Sequence, residues 1–330
     1  MKTAAVLGKL LFFRRFIESS SMDAQQARKG IFFALGAYLI WGIAPVYFKL
    51  LEHIPADEIL AHRIIWSFFF MLILLSISWK WHQVRYACRN VKHLLLLALS
   101  AILIASNWLL YIWAVNNHHM LEASLGYFIN PLVNVMLGVI FLGERLRRLQ
   151  WLAVLLAVSG VLVQLWTFGS LPLVALGLAF SFAFYGLLRK KIGVDSQTGM
   201  LIETLWLLPM AAIYLFFIVD SPSSHMTDNS WTLNTLFVSA GIITTVPLLF
   251  FTAAASYLRL STLGFFQYLG PTMMFLLAVV FYGETFSSDK LVTFAFIWSA
   301  LALFILDALY TQRKRRRSDI RSQRDLRGAR

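Results

Sequence analysis

His118, His119 and Glu122 spell H-H-x-x-E in this 330-residue chain, and three such side chains close together could hold a metal. A helical zinc site of the common kind needs H-E-x-x-H, which puts two imidazoles on one face with a carboxylate base between them. The order here does not do that, so the string reads as a short polar loop. No G-x-S-x-G turn presents a serine nucleophile, and no G-x-x-x-x-G-K-[ST] loop could cradle nucleotide phosphates. Serine hydrolysis and nucleotide-driven pumping are disfavoured, and no metal or cofactor is expected.

The remaining candidates lie inside long apolar blocks. Arg63 and Glu203 are ionisable groups that hydrocarbon penalises, so each reads as a gate or proton carrier, or else as half of a structural pair. Arg63, near the outer end of its block, is expected to snorkel to the outer interface, and Glu203 to sit near the inner one. Asn107, Trp108 and Tyr111 fall at i, i+1 and i+4, which puts Asn107 and Tyr111 on one helix face. Tyr127, Asn130 and Asn134 follow three-then-four spacing, with Ser124 one turn before them. An amide in hydrocarbon needs a partner, so these side chains should point inward, either to bond neighbouring helices or to orient a solute. Tyr38, Trp41, Tyr185, Gln267 and Tyr268 complete the set, their rings serving either as stacking surface or as packing.

The elements that must position these residues follow from composition. With 59% hydrophobic and only 14% charged residues, the chain lacks the polar surface of a water-soluble globule. Its apolar residues form ten blocks of spanning length, residues 30–51, 59–78, 94–115, 121–142, 151–168, 171–188, 199–219, 233–254, 263–282 and 291–310. None alternates as a barrel strand would. The fold class is therefore an all-α integral membrane protein with ten transmembrane helices. The basic residues of the +13 chain cluster in alternate loops, at Lys80 to Lys92, Arg145 to Arg148, Arg189 to Lys191, and in the tail from Arg313. That pattern puts both termini in the cytoplasm. Charges that hug span ends are topology signals, so nucleic acid is not an expected partner, whereas membrane lipids and a small-molecule solute are. Cys88 is the single cysteine and excludes an internal disulfide. Ala153 and Ala157 make a small-xxx-small step, read as interior packing or as a homodimer surface. Met22 offers an alternative start behind a basic leader.

The chain also repeats. A shift of 140 aligns Pro131 with Pro271, Gly143-Glu144 with Gly283-Glu284, Arg63 with Glu203 and Trp66 with Trp206. The divisions are a basic extension at 1–29, a first five-helix repeat at 30–168, a second at 171–310, and a basic tail at 311–330. Five spans is an odd number, so the second repeat is inverted relative to the first. That architecture suits alternating access.

Asn107-Trp108, SLGYFINPL at 124–132, Tyr185-Gly186 with Arg189-Lys190, Glu203-Thr204, Thr245 with Pro247-Leu248, and Gln267-Tyr268 with Pro271 together resemble the RarD branch of the EamA transporters, in the drug/metabolite transporter superfamily. The likeness runs from about residue 22 to 310. It implies two inverted five-helix repeats around a central cavity, and export of small metabolites or drugs from the bacterial cytoplasm across the inner membrane. The RarD label is tied to chloramphenicol sensitivity. The sequence reading is thus a secondary transporter, not an enzyme. Substrate contacts are expected from Tyr38, Trp41, Asn107, Trp108, Tyr111, Tyr127, Asn130, Tyr185, Gln267 and Tyr268, and coupling or gating from Arg63 and Glu203. The alternative is a membrane enzyme acting on a lipid or isoprenoid, for which the acid, base and histidine candidates lie far apart in sequence.

Overall fold

The computed structural model describes residues 25–311 apart from 45, 49, 52, 117–119, 170–171, 220, 222, 224–225, 281–290 and 309. The basic leader, most of the tail, His118, His119 and Glu284 lie outside the described residues. Within them every regular element is a helix. In chain order these are α1 (Gln25–Phe48), α2 (Ala56–Ile77), α3 (Trp81–Arg89), α4 (Val91–Asn116), α5 (Met120–Leu142) and α6 (Arg148–Phe168). There follow α7 (Leu173–Ile192), α8 (Ser196–Ile213, extended by a π-turn at Tyr214–Ile218), α9 (Trp231–Tyr257), α10 (Leu260–Gln267), α11 (Leu269–Val280) and α12 (Leu291–Ala308). Apolar backbone in lipid must satisfy its own hydrogen bonds, which is why helices carry the whole architecture.

Nine of these helices are long and apolar enough to cross a membrane. The ninth expected span, residues 263–282, begins as two shorter helices that meet at Tyr268. Pro271 has no N–H to offer the carbonyl of Gln267, and the Tyr268 N–H turns back to Phe265 O at 3.3 Å. The proline is tolerated because it falls in the first turn of α11, where a donor has no intrahelical partner anyway.

Helix ends follow local chemistry. Gly143, Gly169 and Gly193 adopt φ of +61°, +75° and +68°, ending α5, α6 and α7 in the left-handed conformation that glycine enters without penalty. Asp195 caps α8 by accepting from the N–H groups of Gln197 and Thr198, and pairs with Lys80 at 3.2 Å. Arg189, Lys190 and Lys191 close the last turn of α7, where the helix dipole favours cations.

Helix starts keep the 140-residue offset: 56 and 196 for α2 and α8, 91 and 231 for α4 and α9, 120 and 260 for α5 and α10. Two of these mate pairs pack against each other and run antiparallel. Tyr214, past the end of α8, donates to Asp57 in the first turn of α2 at 2.5 Å. Glu144, past the end of α5, reaches the start of α10: its carboxylate accepts from Leu260 N at 2.6 Å, Ser261 N at 2.9 Å and Ser261 Oγ at 2.6 Å. An acidic group from one half thus caps a helix of the other. Between these two helices Gly264 faces the Pro131 carbonyl so closely that a Cβ would lie 2.7 Å from its oxygen.

Contacts among the loops define one basic end of the bundle. Besides the Glu144 cap, Lys190 Nζ donates to the carbonyls of Ala255 and Leu258, Arg259 to Arg145 O, and Arg147 pairs with Asp307 at 2.5 Å. Ala153 and Ala157 are fully buried in the chain's own core, and Gly160 on the same helix packs against α12. The small-residue step is therefore interior packing and does not present a dimer surface.

Candidate functional site

Arg63 does not snorkel. Seven residues into α2 it sits about 10 Å from the helix start, and nearer partners hold it inside. Its Nε donates to Thr244 Oγ1 at 2.7 Å, and its guanidinium lies 5.1 Å from the Phe48 ring centre and 5.0 Å from that of Trp108. The hydroxyls of Tyr47, Tyr111 and Tyr127 are within electrostatic reach. The rings of Tyr111 and Tyr127 meet edge to face at 6.2 Å. These side chains come from α1, α2, α4, α5 and α9 and converge at one depth, toward the end opposite the basic loops. They are not sealed: Tyr127 keeps 36% of its surface accessible, and Arg63, Trp108 and Tyr111 are only half-buried.

The amides lie in the bundle and bind helices together. Asn107 Nδ2 donates to Leu178 O and Ser181 Oγ, both at 2.9 Å, joining α4 to α7. Asn130 Nδ2 donates to Ala179 O at 2.6 Å. Asn134 donates to Asn130 Oδ1 at 2.9 Å and to Gln267 Oε1 at 3.0 Å, which carries the network from α5 to α10. In hydrocarbon such bonds fix helix register.

Three of the expected tyrosines are closed off in this conformation. Tyr38, Tyr185 and Tyr268 are each at most 1% exposed. Tyr38 donates to Leu263 O at 3.4 Å and Tyr268 to Phe128 O at 3.3 Å. Trp41 packs among Tyr38, Phe182 and Phe251, with ring centres 5.6 to 6.0 Å apart.

Glu203 forms a second buried centre. Its carboxylate accepts from Ser100 Oγ at 2.5 Å and Tyr185 OH at 3.4 Å, and lies 3.5 Å from Arg189 Nε. Both charged side chains are almost wholly buried, at 1% and 2% exposure. The guanidinium fits only because Gly199 on α8 has no side chain, for a Cβ there would overlap it.

The structure thus divides the expected set. Arg63, Trp108, Tyr111 and Tyr127 come together and stay partly accessible, while Asn107 is bonded to α7. Tyr38, Asn130, Tyr185, Gln267, Tyr268 and Glu203 are locked between helices.

Comparison with known proteins fits this architecture. Residues 28–166 match the model of the EamA-like transporter family. Protein RarD of Salmonella typhimurium is 71% identical over 294 residues, covering 89% of this chain and 100% of that protein. The chain belongs to the RarD branch of the EamA-like transporter family. A Vibrio cholerae relative named as an uncharacterized transporter is 57% identical over 296 residues, covering 90% of this chain and 98% of its own. A solved crystal structure superposes with a TM-score of 0.66 at 16% identity, covering 83% of this chain and 96% of that one. At that identity it speaks for the fold alone. The RarD-branch chain is therefore a multi-pass membrane transporter.

Sequence reasoning missed several groups that matter to this RarD-branch site. Arg189 was absorbed into the topology charges, beside Lys190 and Lys191. The available signal was its i, i+4 relation to Tyr185 on α7, which puts both on the face that meets Glu203. Thr244 carries no signal of its own, and only its neighbour Thr245 enters the family resemblance. Phe48, Ser100 and Gly199 carry no local signal.

Proposed function

We propose that this chain is a secondary permease of the bacterial inner membrane, with both termini in the cytoplasm, that exports small organic solutes by alternating access. In this reading the two halves, residues 30–168 and 171–310, rock against each other around the α2/α8 and α5/α10 contacts. One observation carries it: the halves meet through antiparallel mate helices, α2 with α8 and α5 with α10, and polar contacts join them at both ends of the bundle. At the basic end the Glu144 cap, the Arg259 bond to Arg145 O and the Arg147–Asp307 pair tie the halves together. At the other end Tyr214 donates to Asp57 and Ser221 to Glu58, while Arg63, Trp108, Tyr111 and Tyr127 stay partly accessible. Alternating access would part these two sets of contacts in turn, one end at a time.

The test is flux through purified protein in liposomes, screened against aromatic amino acids, chloramphenicol and related solutes. Alternating access gives saturable flux accelerated by solute on the opposite side. Flux that rises linearly without such acceleration describes a channel and overturns the reading.

Glu203 is the first residue to examine for proton coupling, because protonating it would release Arg189. Glu203→Gln should abolish pH-gradient-driven uptake into everted vesicles. Persistence of that uptake removes Glu203 as the proton carrier.

A further inference from the structure

We propose that Arg63 is the anchor for an organic anion: its two terminal nitrogens receive the carboxylate of a solute whose apolar or aromatic body lies against Trp108, Tyr111, Tyr127 and Phe48. The inference rests on the permease reading and names the substrate class that it leaves open. Three observations carry it.

First, Arg63 has no counter-charge. Two of the other buried charges are ion-paired, Glu203 with Arg189 and Asp307 with Arg147, whereas Glu58, like Arg63, meets a hydroxyl, accepting from Ser221 at 2.5 Å. Among the described residues no carboxylate pairs with Arg63. A cation held in hydrocarbon without an anion is costly, and such residues mark ligand paths when they face an opening.

Second, the guanidinium is aimed. The Thr244 hydroxyl donates to Ala240 O at 2.7 Å, so its oxygen is left to accept from Arg63 Nε. That one bond holds the fork in place, and among the described residues no acceptor bonds its terminal N–H groups. Two parallel N–H donors in one plane match a carboxylate bidentately.

Third, the walls select the rest of the molecule. The rings of Phe48 and Trp108 lie against the cation, and among the described residues no ion pair puts a carboxylate beside it. A monoanionic carboxylate fits, whereas a zwitterion or a cation would bring an unpaired or repelled charge.

The experiment uses full-length protein in phosphatidylcholine nanodiscs, titrated calorimetrically with three probes of one shape: 3-phenylpropionate, its amide, and 3-phenylpropylamine. The acid should bind saturably, the amide at least about tenfold more weakly, and the amine not at all. Arg63→Gln should erase the preference for the acid, and Arg63→Lys, which keeps the charge but loses the fork, should retain part of it. Equal binding of acid and amide by the wild type, absence of acid binding, or undiminished acid binding by R63Q overturns the assignment. Nanodiscs containing phosphatidylglycerol separate a soluble anion from a lipid headgroup, and suppression of acid binding there shows that the site takes lipid, which also overturns it. An acid-blind protein that still carries neutral solutes in liposomes leaves the permease reading standing. Intact acid binding without flux for any solute does the reverse.

Discussion

Arg63 on α2 and Glu203 on α8 each stand seven residues in from the start of their helix, and each bonds a hydroxyl on the helix that packs across from it. Arg63 donates to Thr244 of α9 at 2.7 Å, while Glu203 accepts from Ser100 of α4 at 2.5 Å. Because α2 and α8 are antiparallel mates, the two residues lie at matching depths from opposite ends. The correspondence ends with charge balance, since Glu203 has Arg189 beside it and Arg63 has no such partner among the described residues. The two centres should therefore answer to mutation differently.

For the balanced centre, removing one charge is worse than removing both. Arg189→Met leaves the Glu203 carboxylate buried and unpaired, and should destabilise by about 3 kcal/mol. The double variant R189M/E203L should recover most of that loss. Thermal unfolding of the detergent-solubilised protein, compared across the wild type and the two variants, decides it; a double variant no better than R189M would refute the account.

Gly199→Ala should mimic the loss of Arg189. The new methyl occupies the place of the guanidinium, so the arginine must leave or α7 and α8 must part, at about 2 kcal/mol or more. Gly270, with nothing within 4 Å of a built Cβ, is the matched control, and Gly270→Ala should unfold at the wild-type temperature.

The Glu144 cap predicts a local effect on exchange. Glu144→Ala removes acceptors for the N–H groups of Leu260 and Ser261, which should weaken the α10 start by about 1–2 kcal/mol. Hydrogen–deuterium exchange of residues 260–267 should accelerate about tenfold, while α7 exchanges as before. Unchanged uptake over those residues would show that the cap holds nothing in place.

Orientation can be read from the native chain. Cys88 is exposed on α3, among the basic residues that the charge pattern puts inside. A membrane-impermeant maleimide should label it in everted vesicles and not in intact cells. Labelling from outside would invert the topology proposed above.

Much of this fold was legible in the sequence, because apolar blocks of spanning length admit only helices and the 140-residue shift survives in the helix starts themselves. The inward pointing of Asn130 and Gln267 was legible too, since an amide cannot face lipid unpaired. Side-chain direction near helix ends was not. Arg63 could have turned either way along α2, and its inward course is decided by Thr244, 181 positions away. The interruption at Tyr268 was masked by an unbroken apolar run, in which Pro271 was the only mark.

α10 is pinned at one end by a carboxylate and interrupted at the other. It is eight residues long, about 12 Å, too short to bend and so able only to swing as a stiff lever. A tilt of about 10° at Tyr268 carries its far tip about 2 Å, beyond hydrogen-bond range. All three bonds to Glu144 then part in one stroke, which makes release of that end all-or-none.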